Sequence, residues 1–385
     1  MQKHITYLDN IKLFFALLVI THHSLMSYVL SGEVNESING ISSLLVSFNQ
    51  AFFMGGFFLI SGLFVENSYN RKGSQLFLKQ RFKKLVLPII FYFIILSQIQ
   101  PISEYFIFNK TYDINVFFKS MNIGPLWFIA MLFIFNLGYV LIKKYTNFKM
   151  PILKLNIISF IILYALVLYV WRVFMPLIGG EPLISTVIYD WLLKFTPSIG
   201  DLPQYLIAFM LGIVAFKFNL LEKIKNTKWK LSIFYILLSL PIYLAAVIIG
   251  ISDFSFSGGL SLASILYSFW EALFGVSIML VIFKLFYKYF NKENAFIKTL
   301  SKCSFTMYII HLPIIGVIEN IIKKYHLIGS QCHIRHYCYY NFNFLISFIN
   351  QKFSSRKITF KIILKEMRKL KYLLQNYFLL HIRLL

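Results

Sequence analysis

The sequence is poor in charge, in acids and in cysteine. Charged residues fill 14% of its 385 positions, against about 25% in an ordinary soluble domain. An ordinary soluble fold is therefore disfavoured. Disorder is excluded as well, because a disordered chain lacks apolar residues and this one is 58% hydrophobic. The three cysteines, Cys303, Cys332 and Cys338, are too few and too badly spaced for a disulfide framework or a zinc site. Acids number 15 against 38 Lys and Arg, a formal net charge of +23. Such an excess also marks nucleic-acid binders, so its location decides its meaning. What the chain has in plenty is aromatic residues, with 42 Phe and 24 Tyr.

A helix crossing the hydrocarbon core needs about 20 mostly apolar residues. Nine segments qualify or nearly so: 11–30, 44–65, 85–99, 124–142, 155–174, 202–218, 231–251, 262–286 and 303–322. The expected fold is all-α, a polytopic transmembrane helix bundle. The longest loops are expected near 100–123 and 175–201. The first segment does not read as a signal peptide, since Lys12 and two histidines lie within it. With the N-terminus placed in the cytoplasm, the inner loops of residues 1–330 hold 22 Lys and Arg and the outer loops hold 6. The positive-inside rule supports that orientation. Most of the charge excess is thus a topology signal facing anionic lipid. No soluble basic face remains for nucleic acid.

Residues 331–385 differ from the rest. They contain no Gly, Pro, Ala, Val, Asp or Trp, and ten Lys and Arg against one Glu. A tenth helix is expected there, yet the only apolar run, near 339–349, is short. Two readings stand: a shifted reading frame, or a basic amphipathic segment on the inner leaflet. The cluster Cys332, His333, His336 and Cys338 superficially suggests metal, but no metal site is assigned to it.

Ionisable residues inside spans are costly and mark functional sites by default. Lys12 and His23 are eleven residues apart, which leaves about 20° after three helical turns. They share one face, roughly 16 Å apart along the axis, and Asp9 lies close to the same stripe. Lys12 sits at the cytoplasmic mouth and His23 near mid-membrane. Histidine suits proton abstraction because its ordinary pKa is near 6.5. His22 points about 100° away and is read as packing. Ser61, in Phe52 to Gly62, either packs or lines a cavity. Arg81 and Lys84 are one turn apart at the expected start of the third helix. They either anchor topology or, with the helix N-terminus, grip a diphosphate. Trp127 reads as an interfacial-belt residue. Arg172 ends the fifth span, and either snorkels or meets an extracytoplasmic substrate. Glu271 is a buried acid with Arg172 or a histidine as candidate partner. His311, mid-way along the ninth span, serves packing or function.

At these residues the chain resembles the acyltransferase-3 family of integral membrane O-acyltransferases, and most closely the branch that includes glucan biosynthesis protein C. Asp9, Lys12 and His23 match that family's aspartate, basic residue, ten residues and histidine, with Lys12 in place of the commoner arginine. Phe52 to Gly62 is similar to the branch's aromatic-rich second helix. Arg81 to Lys84 resembles a paired-arginine motif in which the second arginine has become lysine, which keeps charge and loses the bidentate fork. Gly124 to Phe128, Arg172 to Gly179, Pro203 to Tyr205, Trp270-Glu271 and Ser304 to His311 match in order. The resemblance covers roughly residues 5–320.

It implies transfer of an acyl group, acetyl or succinyl, from cytoplasmic acyl-CoA to a hydroxyl of an envelope carbohydrate at the plasma membrane. Acyl-CoA is then a donor substrate, with no tightly bound cofactor. His23 and Asp9 are the expected catalytic residues. Lys12, Arg81 and Lys84 are expected to hold the donor, and Ser61, Arg172, Glu271 and His311 to shape the acceptor side. Direct transfer and a covalent intermediate remain open. A transporter or flippase of a sugar or peptide conjugate is the rival reading, and a non-catalytic envelope partner the third. Neither needs a histidine aligned with a phosphate-type basic mouth.

Overall fold

The computed structural model describes residues 6–30, 36–146, 156–175, 177, 199–226, 229–252, 254–292 and 295–324. The chain divides into two units, Met1–Ser330 and Gln331–Leu385. The second, with its Cys332, His333, His336 and Cys338, lies outside the described residues.

The first unit is all-α. Its helices are α1 (Thr6–Leu30), α2 (Glu36–Gln50), α3 (Phe53–Leu63), α4 (Val65–Arg81), α5 (Leu87–Ile94), α6 (Ile99–Phe108), α7 (Ile114–Ser120), α8 (Trp127–Tyr145), α9 (Ile157–Phe174), α10 (Leu202–Lys217), α11 (Leu220–Asn226), α12 (Trp229–Gly250), α13 (Leu262–Tyr289) and α14 (Ala295–Lys324). Eight runs of the described residues are long and apolar enough to cross a membrane: Gly40–Leu63, Val65–Phe108, Ile114–Tyr145, Ile157–Phe174, Ile199–Lys217, Trp229–Gly250, Leu262–Tyr289 and Ile297–Ile321. The protein is a multi-pass membrane helix bundle. The expected first span forms α1, of 25 residues, yet it is not among the eight. Asp9, Asn10, Lys12, His22 and His23 depress its hydropathy. It is instead sheltered by protein, packing on α2, α3, α13 and α14 with Leu8, Ile11, Phe15, Ala16 and Val19 buried.

Two other segments differ from expectation. The loop expected at 100–123 is largely helical, holding all but the first residue of α6 and all of α7. Asp113 starts α7 by accepting from the Val116 N–H at 2.8 Å, an N-cap bond. The third span is a long helical run from Val65 to Phe108. It is kinked at Gly73, whose φ of 69° and ψ of 170° are not helical, and disturbed again at Pro88, which lacks an N–H and whose ring would press on the carbonyl four residues back. A π-turn over Phe82–Val86 widens the helix there. The Leu87 N–H donates to the Phe82 carbonyl, so the run continues through Lys84. No open helix N-terminus exists at Arg81–Lys84, contrary to the sequence expectation.

Hydrocarbon tails supply little hydrophobic drive between membrane helices, so close packing and polar contacts hold them together. α3 and α10 cross at Gly62 and Gly212, where a Cβ on Gly62 would overlap the Phe209 carbonyl oxygen and one on Gly212 the Leu59 carbonyl oxygen. Backbone touches backbone at that crossing. Trp270 on α13 is fully buried among Phe48, Tyr243, Tyr267 and Phe274, at ring separations of 4.5–5.7 Å. α9 seats Ile161, Tyr164, Ala165 and Leu168 against Ala272 and Leu273 of α13. α3 stands between two cavities. Phe57, Ile60 and Ser61 face a cavity of about 600 Å³. Gly55, Gly56 and Leu59 face an almost wholly apolar one of about 220 Å³. The helical repeat puts these two sets on different faces.

Candidate functional site

The larger cavity gathers polar groups from four parts of the chain. α1 contributes Asp9, Lys12 and Ala16, and α3 contributes Phe57, Ile60 and Ser61. Arg81 and Lys84 come from the end of α4 and the π-turn. Ser301, Lys302, Ser304, Phe305 and Tyr308 come from α14, while Phe128, Ile129 and Leu132 of α8 form an apolar wall. The volume falls within the range of small-molecule sites. Four cations and one carboxylate line it, so the cavity is strongly anion-attracting.

Local contacts set these side chains. Lys12 Nζ donates to Asp9 Oδ1 at 2.9 Å, one turn back on α1, and lies 4.7 Å from the centre of the Phe64 ring. The Arg81 guanidinium lies 5.0 Å over the Phe77 ring, which keeps its planar face on carbon and its N–H fork for a ligand. Ser301 Oγ donates to the Asp9 carbonyl oxygen at 2.9 Å, tying α14 to α1 at the mouth. The π-turn adds one residue to the helical repeat and so sets the direction in which Lys84 projects beside Arg81.

Deeper along α1 lies a histidine cluster. His23, half-buried, has His22 at 5.4 Å ring to ring and His311 at 5.1 Å. His22 packs on Phe53 at 4.9 Å. His311 is completely buried, and its Nδ1 lies 2.6 Å from the Tyr308 carbonyl oxygen. Tyr308 also lines the cavity, and its hydroxyl donates to the Pro125 carbonyl. Tyr308 therefore joins the basic cavity to the histidines. His23 is not itself part of the cavity lining. It lies two turns beyond Ala16, about 10 Å along α1.

A third group is separate. Arg172 on α9 is fully buried and its Nη2 donates to Asp201 Oδ1 at 2.9 Å and Glu271 Oε2 at 2.5 Å. Nη1 reaches Ser268 Oγ at 3.3 Å, and Tyr267 lies 5.5 Å beneath the guanidinium. Gln50 Nε2 donates to Asp201 Oδ2 at 2.7 Å. Gln204 Nε2 donates to the Ala51 carbonyl at 2.8 Å and to Glu271 Oε1 at 3.2 Å. Burying charge is tolerated when it is paired and hydrogen-bonded in this way. The network joins α2, α9, α10 and α13. Arg172 does not snorkel.

The nine residues expected from sequence thus fall into three places. Asp9, Lys12, Ser61, Arg81 and Lys84 share the cavity. His23 and His311 pair beside it. Arg172 and Glu271 bond each other and line neither cavity. Trp127 is buried against Tyr205, with ring centres 5.3 Å apart, so its expected place in an interfacial belt is corrected. Lys302, Ser301, Ser304 and Tyr308 were missed as site residues. Their signal was a polar stripe at 301, 304, 308 and 311, spaced for one helix face. Among the described residues no group of His, Cys, Asp or Glu is placed to hold a metal ion.

A model of the acyltransferase-3 family, described as an acyltransferase domain, matches residues 5–349. The chain belongs to the acyltransferase-3 family. The match runs past residue 320, where the sequence resemblance was expected to stop. Searches of curated proteins and of solved structures found no match. The basic cavity and the histidine cluster lie side by side, joined by Tyr308.

Proposed function

We propose that this membrane acyltransferase moves an acyl group, acetyl or succinyl, from acyl-CoA to a hydroxyl of an envelope carbohydrate. The N-terminus is cytoplasmic, in keeping with the bias of Lys and Arg among the loops, and the family resemblance points to the plasma membrane. The observation that carries the reading is the convergence of Lys12, Arg81, Lys84 and Lys302 on one cavity that adjoins the His23–His311 pair through Tyr308.

The cations hold the phosphates of the donor, with Arg81 presenting a fork and the lysines acting as point charges. Asp9 holds Lys12 in position. Ser61, Ser301 and Ser304 offer hydroxyls along the path inward. His23 accepts the proton of the acceptor hydroxyl as its oxygen attacks the thioester carbonyl. The C–S bond breaks, and the departing thiolate takes that proton to leave as CoA thiol. Arg172 and Glu271 act by fixing the helices around the acceptor side.

The test is transfer of label from radiolabelled acetyl-CoA or succinyl-CoA to carbohydrate in membrane vesicles containing the protein. His23→Ala should abolish transfer while the protein still inserts and extracts as a monodisperse species. Wild-type rates from that variant would remove His23 as the base.

A further inference from the structure

His311 is completely buried, and one of its ring nitrogens has no partner. Its Nδ1 sits 2.6 Å from the Tyr308 carbonyl oxygen. A carbonyl oxygen only accepts, so Nδ1 must carry the hydrogen. In the neutral ring Nε2 is then the lone-pair nitrogen, and Nε2 has no hydrogen-bond partner. A buried acceptor without a donor is costly and calls for an explanation. The nearest candidate donor ring is His23, 5.1 Å away between ring centres and tilted by 38°.

We propose that His311 is a positioning residue for His23. This role rests on the reading of His23 as the base. When substrate enters, a small ring rotation lets the His23 N–H turned away from the substrate donate to His311 Nε2. That bond fixes the His23 tautomer, leaving its other nitrogen as the lone pair that meets the acceptor hydroxyl. As His23 takes the hydroxyl proton and becomes an imidazolium, the same bond strengthens, because it then comes from a charged donor. Catalytic hydrogen bonds are often long without substrate and tighten in the reacting complex. Both protons remain accounted for: one stays on His23 and is shared toward His311, and the other passes from the hydroxyl to His23 and on to the leaving thiolate.

His22 is the other neighbour and does not fit this role. Its ring stands at 90° to His23, it packs on Phe53 at a 34° tilt, and its Nδ1 has no partner, so no carbonyl fixes its tautomer through that nitrogen. The lock on His311 comes from its own helix. Tyr308 is one turn back, and its hydroxyl is held by the Pro125 carbonyl. The ring, the carbonyl and the wall of the donor cavity are therefore one rigid unit.

Two substitutions separate positioning from packing. His311→Asn keeps an amide N–H where Nδ1 donates to Tyr308 and removes the acceptor at the ε position. His311→Gln places an amide oxygen near the ε position and gives up the bond to Tyr308. Label transfer from radiolabelled acetyl-CoA and succinyl-CoA is measured for wild type and both variants in membrane vesicles. The expected result is that His311→Gln keeps kcat within about tenfold of wild type, while His311→Asn loses roughly 10²-fold in kcat at unchanged KM for the donor. If packing is the whole role, the order reverses and the asparagine variant is the better enzyme. That order, or equal loss in both variants, overturns the proposal. No transfer by wild type overturns the acyl-CoA reading and this role with it, and the two failures are thereby distinguished.

Discussion

The buried Arg172 network makes a quantitative demand on stability. Arg172 faces Asp201 at 2.9 Å and Glu271 at 2.5 Å, with exposures of 0%, 3% and 3% for the three side chains. One cation thus serves two carboxylates, and the triad carries a formal net charge of −1. Arg172→Met leaves two buried carboxylates with no cation between them. Removing one partner of a buried pair costs about 3–5 kcal/mol. Glu271→Gln instead leaves Arg172 and Asp201 as a balanced pair; its amide oxygen still accepts from Arg172, and its NH2 group gives up the bond from Gln204. Its cost is that of weakening one charged hydrogen bond and losing the 3.2 Å bond from Gln204, about 1–2 kcal/mol. The gap of about 2–3 kcal/mol corresponds to a rise of roughly 30- to 150-fold in unfolded protein for Arg172→Met over Glu271→Gln. The assay is the fraction of monodisperse protein surviving graded denaturation in detergent. Combining Arg172→Met with Asp201→Asn and Glu271→Gln should recover much of the loss, because no bare carboxylate then remains. Equal stability of Arg172→Met and Glu271→Gln would refute the charge argument and leave the network as packing alone.

Two further substitutions test the helix crossing and the cavity. Gly62→Ala should destabilise the bundle because its Cβ would overlap the Phe209 carbonyl. Gly55→Ala on the same helix should be tolerated, since its Cβ would meet only Gln204 and Ala208 at 3.5–3.8 Å; comparing their unfolding in detergent decides this. Arg81→Ala and Lys302→Ala should each raise the donor KM about tenfold or more with kcat little changed, as expected for lost binding of an anion. An unchanged KM for Lys302→Ala would reduce that residue to a topological charge.

The membrane bundle was legible because hydropathy is a local property. Runs such as 231–251 and 262–286 announce themselves without any partner, and they correspond to α12 and α13. The one-face alignment of Asp9, Lys12 and His23 was equally legible, since helix geometry depends on spacing alone. What local pattern misjudged has a local cause too. Pro88 suggested a helix start, but a π-turn absorbs it and the helix runs on. Trp127 resembled a belt residue, and only the approach of Tyr205 from α10 buries it.

By itself the sequence determined the class of protein, the approximate spans and the stripe on α1 that carries Lys12 and His23. Those follow from composition and helical periodicity, which are set along one chain segment at a time. Tertiary structure alone decided which polar groups meet. It brought Lys302 into the cavity that Arg81 lines, closed Arg172 onto Asp201 and Glu271, and set His311 against His23. Each of these joins residues distant in sequence, and their pairing depends on which helix faces pack together. That choice is made by contacts such as the Gly62–Gly212 crossing, where the absence of two side chains lets α3 and α10 approach closely.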